Sequence, residues 1–156
     1  MSRPVFVCVP GASHSHLIYE PLRAALAYYG YNAYPLALPS VGGNPPTYDF
    51  TEDVRAIRNI CAELADSGQE VILVMHAYGG LPGGEALWGL GRAERAQRGL
   101  RGGVVRLVFI MSCKCGGSCL FSRLFGFVKG NKWGLRARCK TKSHLASSSL
   151  YWYRRC

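Results

Sequence analysis

No Asp or Glu stands beyond Glu94 in this 156-residue sequence, whereas 14 of its 19 basic residues do. The first 94 residues carry all 9 acids against five arginines, so the formal net charge of +10 describes neither part. No catalytic acid can therefore come from residues 95–156. Long hydrophobic runs are missing too. None reaches the ~18 apolar residues of a helical membrane span. The amino-terminal MSRPVFVCVPGA holds an apolar run too short for a secretory core and broken at Pro10-Gly11. A soluble, cytoplasmic protein with no transmembrane segment is the expectation. The paired C-x2-C spacing of zinc sites is absent as well. Cys113, Cys115 and Cys119 stand as C-x-C-x3-C, with Cys139 far downstream, and unpaired thiols are the plainer reading. No metal and no cofactor are expected. Cys8 and Cys61 lie in an apolar strand and on a helix, and are predicted to be buried free thiols acting as small hydrophobes.

What is present is an alternation of strands and helices. Val5–Val9 (VFVCV) is continuously apolar, which predicts a strand covered on both faces. Pro10–His14 is a loop of small residues. The spacing of Leu22, Ala25, Leu26 and Tyr29 predicts a helix over Tyr19–Tyr29, with Gly30 just past its end. Tyr31–Leu36 reads as a second strand whose Pro35 suits a sheet edge. Residues 38–47 form a loop rich in Pro and Gly that overhangs the site. A second helix starts near Thr51, capped by Thr51 or Asp53, with Val54, Ile57, Ile60, Cys61, Leu64 and Ala65 on one face. Val71–Met75 is a third strand, Leu81–Leu90 a third helix, and Val104–Met111 a fourth strand, with 91–103 part helix and part loop. This order implies an α/β fold: a parallel sheet of about four strands in the order 2-1-3-4, with right-handed crossovers and helices on both faces. Residues 1–111 make one partial domain. From 112 the pattern fails, and 112–156 read as an irregular, basic, Cys/Arg-rich tail.

The stretch Glu70–Gly84 (EVILVMHAYGGLPGG) organises the rest. An apolar strand stops at a tight His-Ala-Tyr-Gly-Gly and small residues then open a helix, which throws Ala77 up at the carboxyl end of a buried strand. An α/β-hydrolase keeps its nucleophile there, in a G-x-S-x-G elbow. Here the motif reads Met75-His76-Ala77-Tyr78-Gly79, so a methyl replaces the hydroxyl. FVCVPGASHSHLIYEPLRAAL, LPSVGG, TEDVRAIR, VILVMHAYGGLPGGEAL and GGVVRLVFI together resemble the small α/β-hydrolase-fold, serine esterase-like proteins of fungi, over roughly residues 4–111. The resemblance implies a truncated member of that fold, an esterase ancestry and a link to fungal secondary metabolism. It also implies an oxyanion hole from the backbone N–H groups of Ala12 and Tyr78, and pocket positions at His14, His76 and Gly79. His76 precedes the nucleophile position and is not the catalytic base.

Acyl transfer on this fold requires Ser, an acid and His in chain order. After Ala77 the acids are Glu85 and Glu94, both read as surface residues of the helix that follows, and the one later histidine is His144. His144 is the residue available as a base, arriving without the strands that would carry it. The leading expectation is a disabled enzyme. The alternative is a binding protein that uses the vacated pocket for a small apolar or ester-like ligand. A third origin for Ala77 is a substitution made to trap substrate. The tail, with aromatic residues among its bases, is a candidate for polyanion or anionic-membrane binding. A shifted frame or translated intron gives the same composition and is preferred.

Overall fold

The structure is a computed structural model and describes residues 3–112 together with the backbone of Leu150–Trp152. Five strands form one sheet in the order β2-β1-β3-β4-β5. They are β1 Val5–Val9, β2 Ala33–Pro35, β3 Glu70–His76, β4 Gly103–Ile110 and β5 Leu150–Trp152. The first four are parallel, in the order the alternating pattern predicts. β5 is antiparallel to β4, with Ile110 opposite Leu150. It falls in the stretch where the sequence shows no strand period: three residues are too few to display an alternation.

The helices are α1 Glu20–Tyr28, α2 Thr51–Asp66, α3 Gly80–Ala86 and α4 Arg92–Gln97. The first helix, predicted over Tyr19–Tyr29, is α1, and a 3-10 turn over His16–Tyr19 leads into it. Gly30 closes it at φ 75°, a conformation glycine adopts without steric penalty. Pro35 sits in an edge strand, where its missing N–H costs no ladder bond on the open side. The third helix ends at Ala86, four residues before the predicted Leu90. Arg58 on α2 donates to the carbonyls of Ala86 (2.9 Å) and Trp88 (2.7 Å), so a side chain takes up the acceptors at that end.

Strand periodicity divides the sheet into two faces. Val5, Val7, Val9, Val71, Leu73 and Met75 point to one side and are buried with Ile57, Cys61 and Leu64 of α2 and Ala86 of α3. Cys8, Ile72, Val74 and Val108 point to the other, against Tyr19 and the half-buried Leu22. The first face is the larger core. α1 buries no residue fully, and Tyr28 and Tyr29 at its end are 84% and 67% exposed. Cys8 and Cys61 are buried free thiols, as expected. No helix among the described residues is long and apolar enough to cross a membrane.

Candidate functional site

β1 and β3 lie side by side at the centre of the sheet, Val9 opposite Met75, so the loops that follow them emerge together at the carboxyl end. Open α/β sheets hold their ligands at that edge. β3 ends at His76, Ala77–Gly79 form a single 3-10 turn, and α3 starts at Gly80. Ala77 takes φ 44°, a left-handed conformation costing a residue with a Cβ about 1–2 kcal/mol. Such local strain persists only where surrounding contacts hold it. Those contacts are close backbone approaches. A Cβ on Gly79 would lie 2.7 Å from the Pro10 carbonyl oxygen and 2.9 Å from that of Val9. At Gly83 it would lie 2.6 Å from Met75 Sδ, so α3 is pressed onto β3. The Ser112 hydroxyl donates to the Ala77 carbonyl from the end of β4.

The loop after β1 faces this turn. A Cβ on Gly11 would stand 3.4 Å from the Ala77 methyl, 3.0 Å from His76 Nδ1 and 3.4 Å from His14 Nδ1. The His14 and His76 rings meet edge to face, their centroids 5.5 Å apart. His14 Nδ1–H donates to the Ala12 carbonyl at 2.9 Å, and the His14 N–H closes a turn on Gly11. The structure thus brings Ala12, His14, His76, Ala77, Tyr78 and Gly79 into one neighbourhood. His144 and the cysteines from 113 onward lie outside the described residues, as does the aromatic-rich basic tail proposed for polyanions apart from Ser112 and the backbone of Leu150–Trp152. Beside the turn, Ile18, Tyr19, His76 and Ile110 line a recess of about 200 Å³. The Tyr19 hydroxyl donates to the Val9 carbonyl at 3.0 Å, so the wall it gives the recess is its ring.

The sequence predicts Thr51 or Asp53 as the cap of this helix, but Phe50 stands at the cap position. Asp53 is fully buried in the first turn of α2, and the Thr51 N–H is taken by Asp49 at 2.8 Å. The Asp53 carboxylate accepts from the Ser40 N–H (2.9 Å), the Ser40 hydroxyl (2.6 Å) and the Tyr78 hydroxyl (2.7 Å). Burial, and next the bond to Asp53, push the Tyr78 phenol up from its ordinary value, so it is a neutral donor at physiological pH. One carboxylate therefore ties the overhanging loop to the residue after Ala77. A signal was available in the sequence: Asp53, Ile57 and Cys61 step along a single helical stripe.

A parallel sheet with helices on both faces, and a strained strand–turn–helix at the carboxyl end of its central strand, is the framework of an α/β-hydrolase. The sequence matches the Alpha/beta hydrolase family over residues 6–151, and the chain belongs to that family. It is 37% identical over 110 residues to the alpha/beta hydrolase nvfD of Aspergillus novofumigatus, a match covering 70% of this chain and 43% of that protein. It is 34% identical over 100 residues to the probable hydrolase R7 of a Phoma species, covering 63% and 41%. The chain thus spans about two fifths of the length of these curated relatives. Among solved structures, tomato methylketone synthase I complexed with 2-tridecanone has the same fold. Its TM-score is 0.59 at 24% identity, over 75% of this chain and 43% of that one.

Proposed function

We propose that Ala77 occupies the nucleophile position of an α/β-hydrolase descended from a serine esterase, and that the protein performs no acyl transfer there, binding a small apolar or ester-like ligand instead. The observation that carries this reading is a methyl group at a turn which retains a left-handed apex and glycine-tight packing. A covalent acyl intermediate requires an oxygen or sulfur at that point, and a methyl offers neither. The shallow, open recess beside it, flanked by Ile18, Tyr19 and Ile110, offers apolar surface to such a ligand. The Tyr78 and Ala12 amides are the oxyanion donors in this reading, and His144 is the residue that would serve as base. The boundary at 111/112 belongs to the same proposal, with Leu150–Trp152 the described part of the tail that returns to the sheet. So do a cytoplasmic location and a setting in fungal secondary metabolism, the latter on the resemblance to fungal hydrolases.

The test is a fluorophosphonate probe and a set of short p-nitrophenyl esters, applied to the protein and to Ala77→Ser. The unsubstituted protein should stay unlabelled and turn esters over at background. Ala77→Ser should acylate slowly at most, because the new hydroxyl stays protonated without an acid-oriented histidine. Turnover by Ala77→Ser at kcat of about 1 s⁻¹ or more, with a pH profile reporting a histidine, would show a working base and overturn the disabled reading. Labelling of Ser13 or Ser15 in the unsubstituted protein would overturn the placement of Ala77.

A further inference from the structure

The loop between β2 and α2 is fastened at both ends. Leu38 is buried in the larger core, and Ser40 donates its N–H and its hydroxyl to Asp53. At the far end the Asp49 carboxylate accepts from the Thr51 N–H at 2.8 Å. Between these anchors the chain folds back on itself, and a Cβ on Gly43 would lie 2.8 Å from the Pro39 carbonyl oxygen. The stretch that follows the fold-back is Asn44-Pro45-Pro46-Thr47-Tyr48. Both prolines are exposed, and Tyr48 is the most exposed aromatic side chain among the described residues. No hydrogen bond among the described residues involves residues 45–48. Their backbone carbonyls are therefore free to meet a partner.

The shape of this segment is written in its residues. Each proline ring fixes φ near about −65°, and Pro46 confines Pro45 to an extended ψ. Neither Thr47 nor Tyr48 takes a positive φ. In a polyproline II conformation, with about three residues per turn, Pro45 and Tyr48 fall on one side. Aromatic-lined grooves bind such segments, because little ordering entropy is left to lose. SH3 grooves read prolines spaced three apart, and Pro39, Pro45 and Pro46 contain no such pair. WW grooves clasp adjacent prolines and take a tyrosine two positions on. Pro45-Pro46-Thr47-Tyr48 has that spacing.

We propose that Pro45-Pro46-Thr47-Tyr48 is a docking motif for a WW-type domain of another protein, whose paired aromatic rings clasp the prolines and whose second pocket takes the Tyr48 ring. Thr47 stands at the position that such a groove leaves unrestricted. Four residues make a small interface, so the complex is weak and reversible. The anchors at Ser40 and Asp49 hold the motif on the folded chain, and its use does not depend on what occupies the recess beside Ala77.

The experiment titrates a ¹⁵N-labelled WW domain of the class that binds Pro-Pro-x-Tyr peptides with the unlabelled full chain, reading the indole signals of the domain. The shifts should saturate. Tyr48→Ala and Pro46→Ala should each raise Kd about tenfold or more, the effect of losing a hot-spot side chain. Thr47→Ala should leave Kd unchanged, as should Tyr28→Ala, which removes another widely exposed ring. Both key side chains are exposed, so the thermal midpoints of Tyr48→Ala and Pro46→Ala should match that of the unsubstituted protein, and their loss of binding then reports the contact itself. Absence of binding by the full chain overturns the proposal, even where a free peptide of residues 43–50 binds, since the fold then withholds the motif. Binding that survives Tyr48→Ala, or that an SH3 domain matches, overturns it as well, because the groove would not be reading this motif.

Discussion

Asp53 has the most demanding surroundings of any side chain near the site. It is fully buried, and three donors converge on its carboxylate, two from Ser40 and one from Tyr78. Replacing it with alanine would leave all three without a partner; the two on exposed Ser40 can turn to water, whereas the half-buried Tyr78 hydroxyl is stranded, and a buried donor so stranded costs about 1–3 kcal/mol. Asp53→Ala should therefore lose about 1–3 kcal/mol. Asp53→Asn keeps one oxygen but turns an NH2 toward a donor, and should lose roughly half as much. Urea unfolding midpoints check the order, and equal stabilities for the two variants would show that the carboxylate does not carry the network. Single residues were unevenly legible in the sequence. That residue 77, the proposed nucleophile position, carries a methyl and no hydroxyl could be read directly, because the strand–turn–helix pattern points to which position to inspect. Asp53 stands with Thr51 as a cap candidate because such residues near a helix start commonly are caps, and only its phase with Ile57 and Cys61 distinguishes the two roles.

Among elements, the strands were the most legible. VFVCV and VILVM carry continuous apolar runs because both of their faces are covered, VVRLVFI is interrupted at Arg106 and is mostly half-buried, and the order of the three follows from the alternation with helices. Helix ends were less so, since long-range partners set them: α3 stops at Ala86 where Arg58, 28 residues earlier, takes its carbonyl. The short β5 was hidden for want of length. The turn into α3 offers a test of how tightly that element is seated. Gly79→Ala would drive a methyl against two backbone oxygens at 2.7 and 2.9 Å, and backbone cannot rotate aside. That should cost about 2–3 kcal/mol. Gly84→Ala, on the same helix, meets nothing within 4 Å and should gain about 0.5–1 kcal/mol from helix propensity and a less flexible unfolded chain. Thermal melts of the two variants should move in opposite directions, and a tolerated Gly79→Ala would mean that α3 sits further from β1 than described.

For the molecule as a whole, the sheet buries ionisable groups on both faces. Burial pushes the Cys8 and Cys61 thiols from 9.0 up to about 12, and it moves the Tyr19 and Tyr78 phenols the same way. All four are acids held neutral in the folded state. Once unfolded, the thiols ionise from about pH 9, and above that pH the unfolded chain binds fewer protons than the folded one. Stability is thus fully present below about pH 9 and falls as pH rises toward 12. The urea midpoint should decline between pH 8 and pH 11, and Cys61→Val should flatten part of that slope; a constant midpoint would contradict the burial. The order of the strands has a consequence for how the protein is made. β1 has β2 on one side within thirty-odd residues, but its other neighbour is β3, where Val5 pairs with Val71. A ribosome adding about 5–20 residues per second needs roughly 3–13 s to cover that gap. For that interval the apolar VFVCV strand leaves the exit tunnel with one edge unpaired, and nascent-chain chaperones have a defined segment to meet before the central pair of the sheet can close.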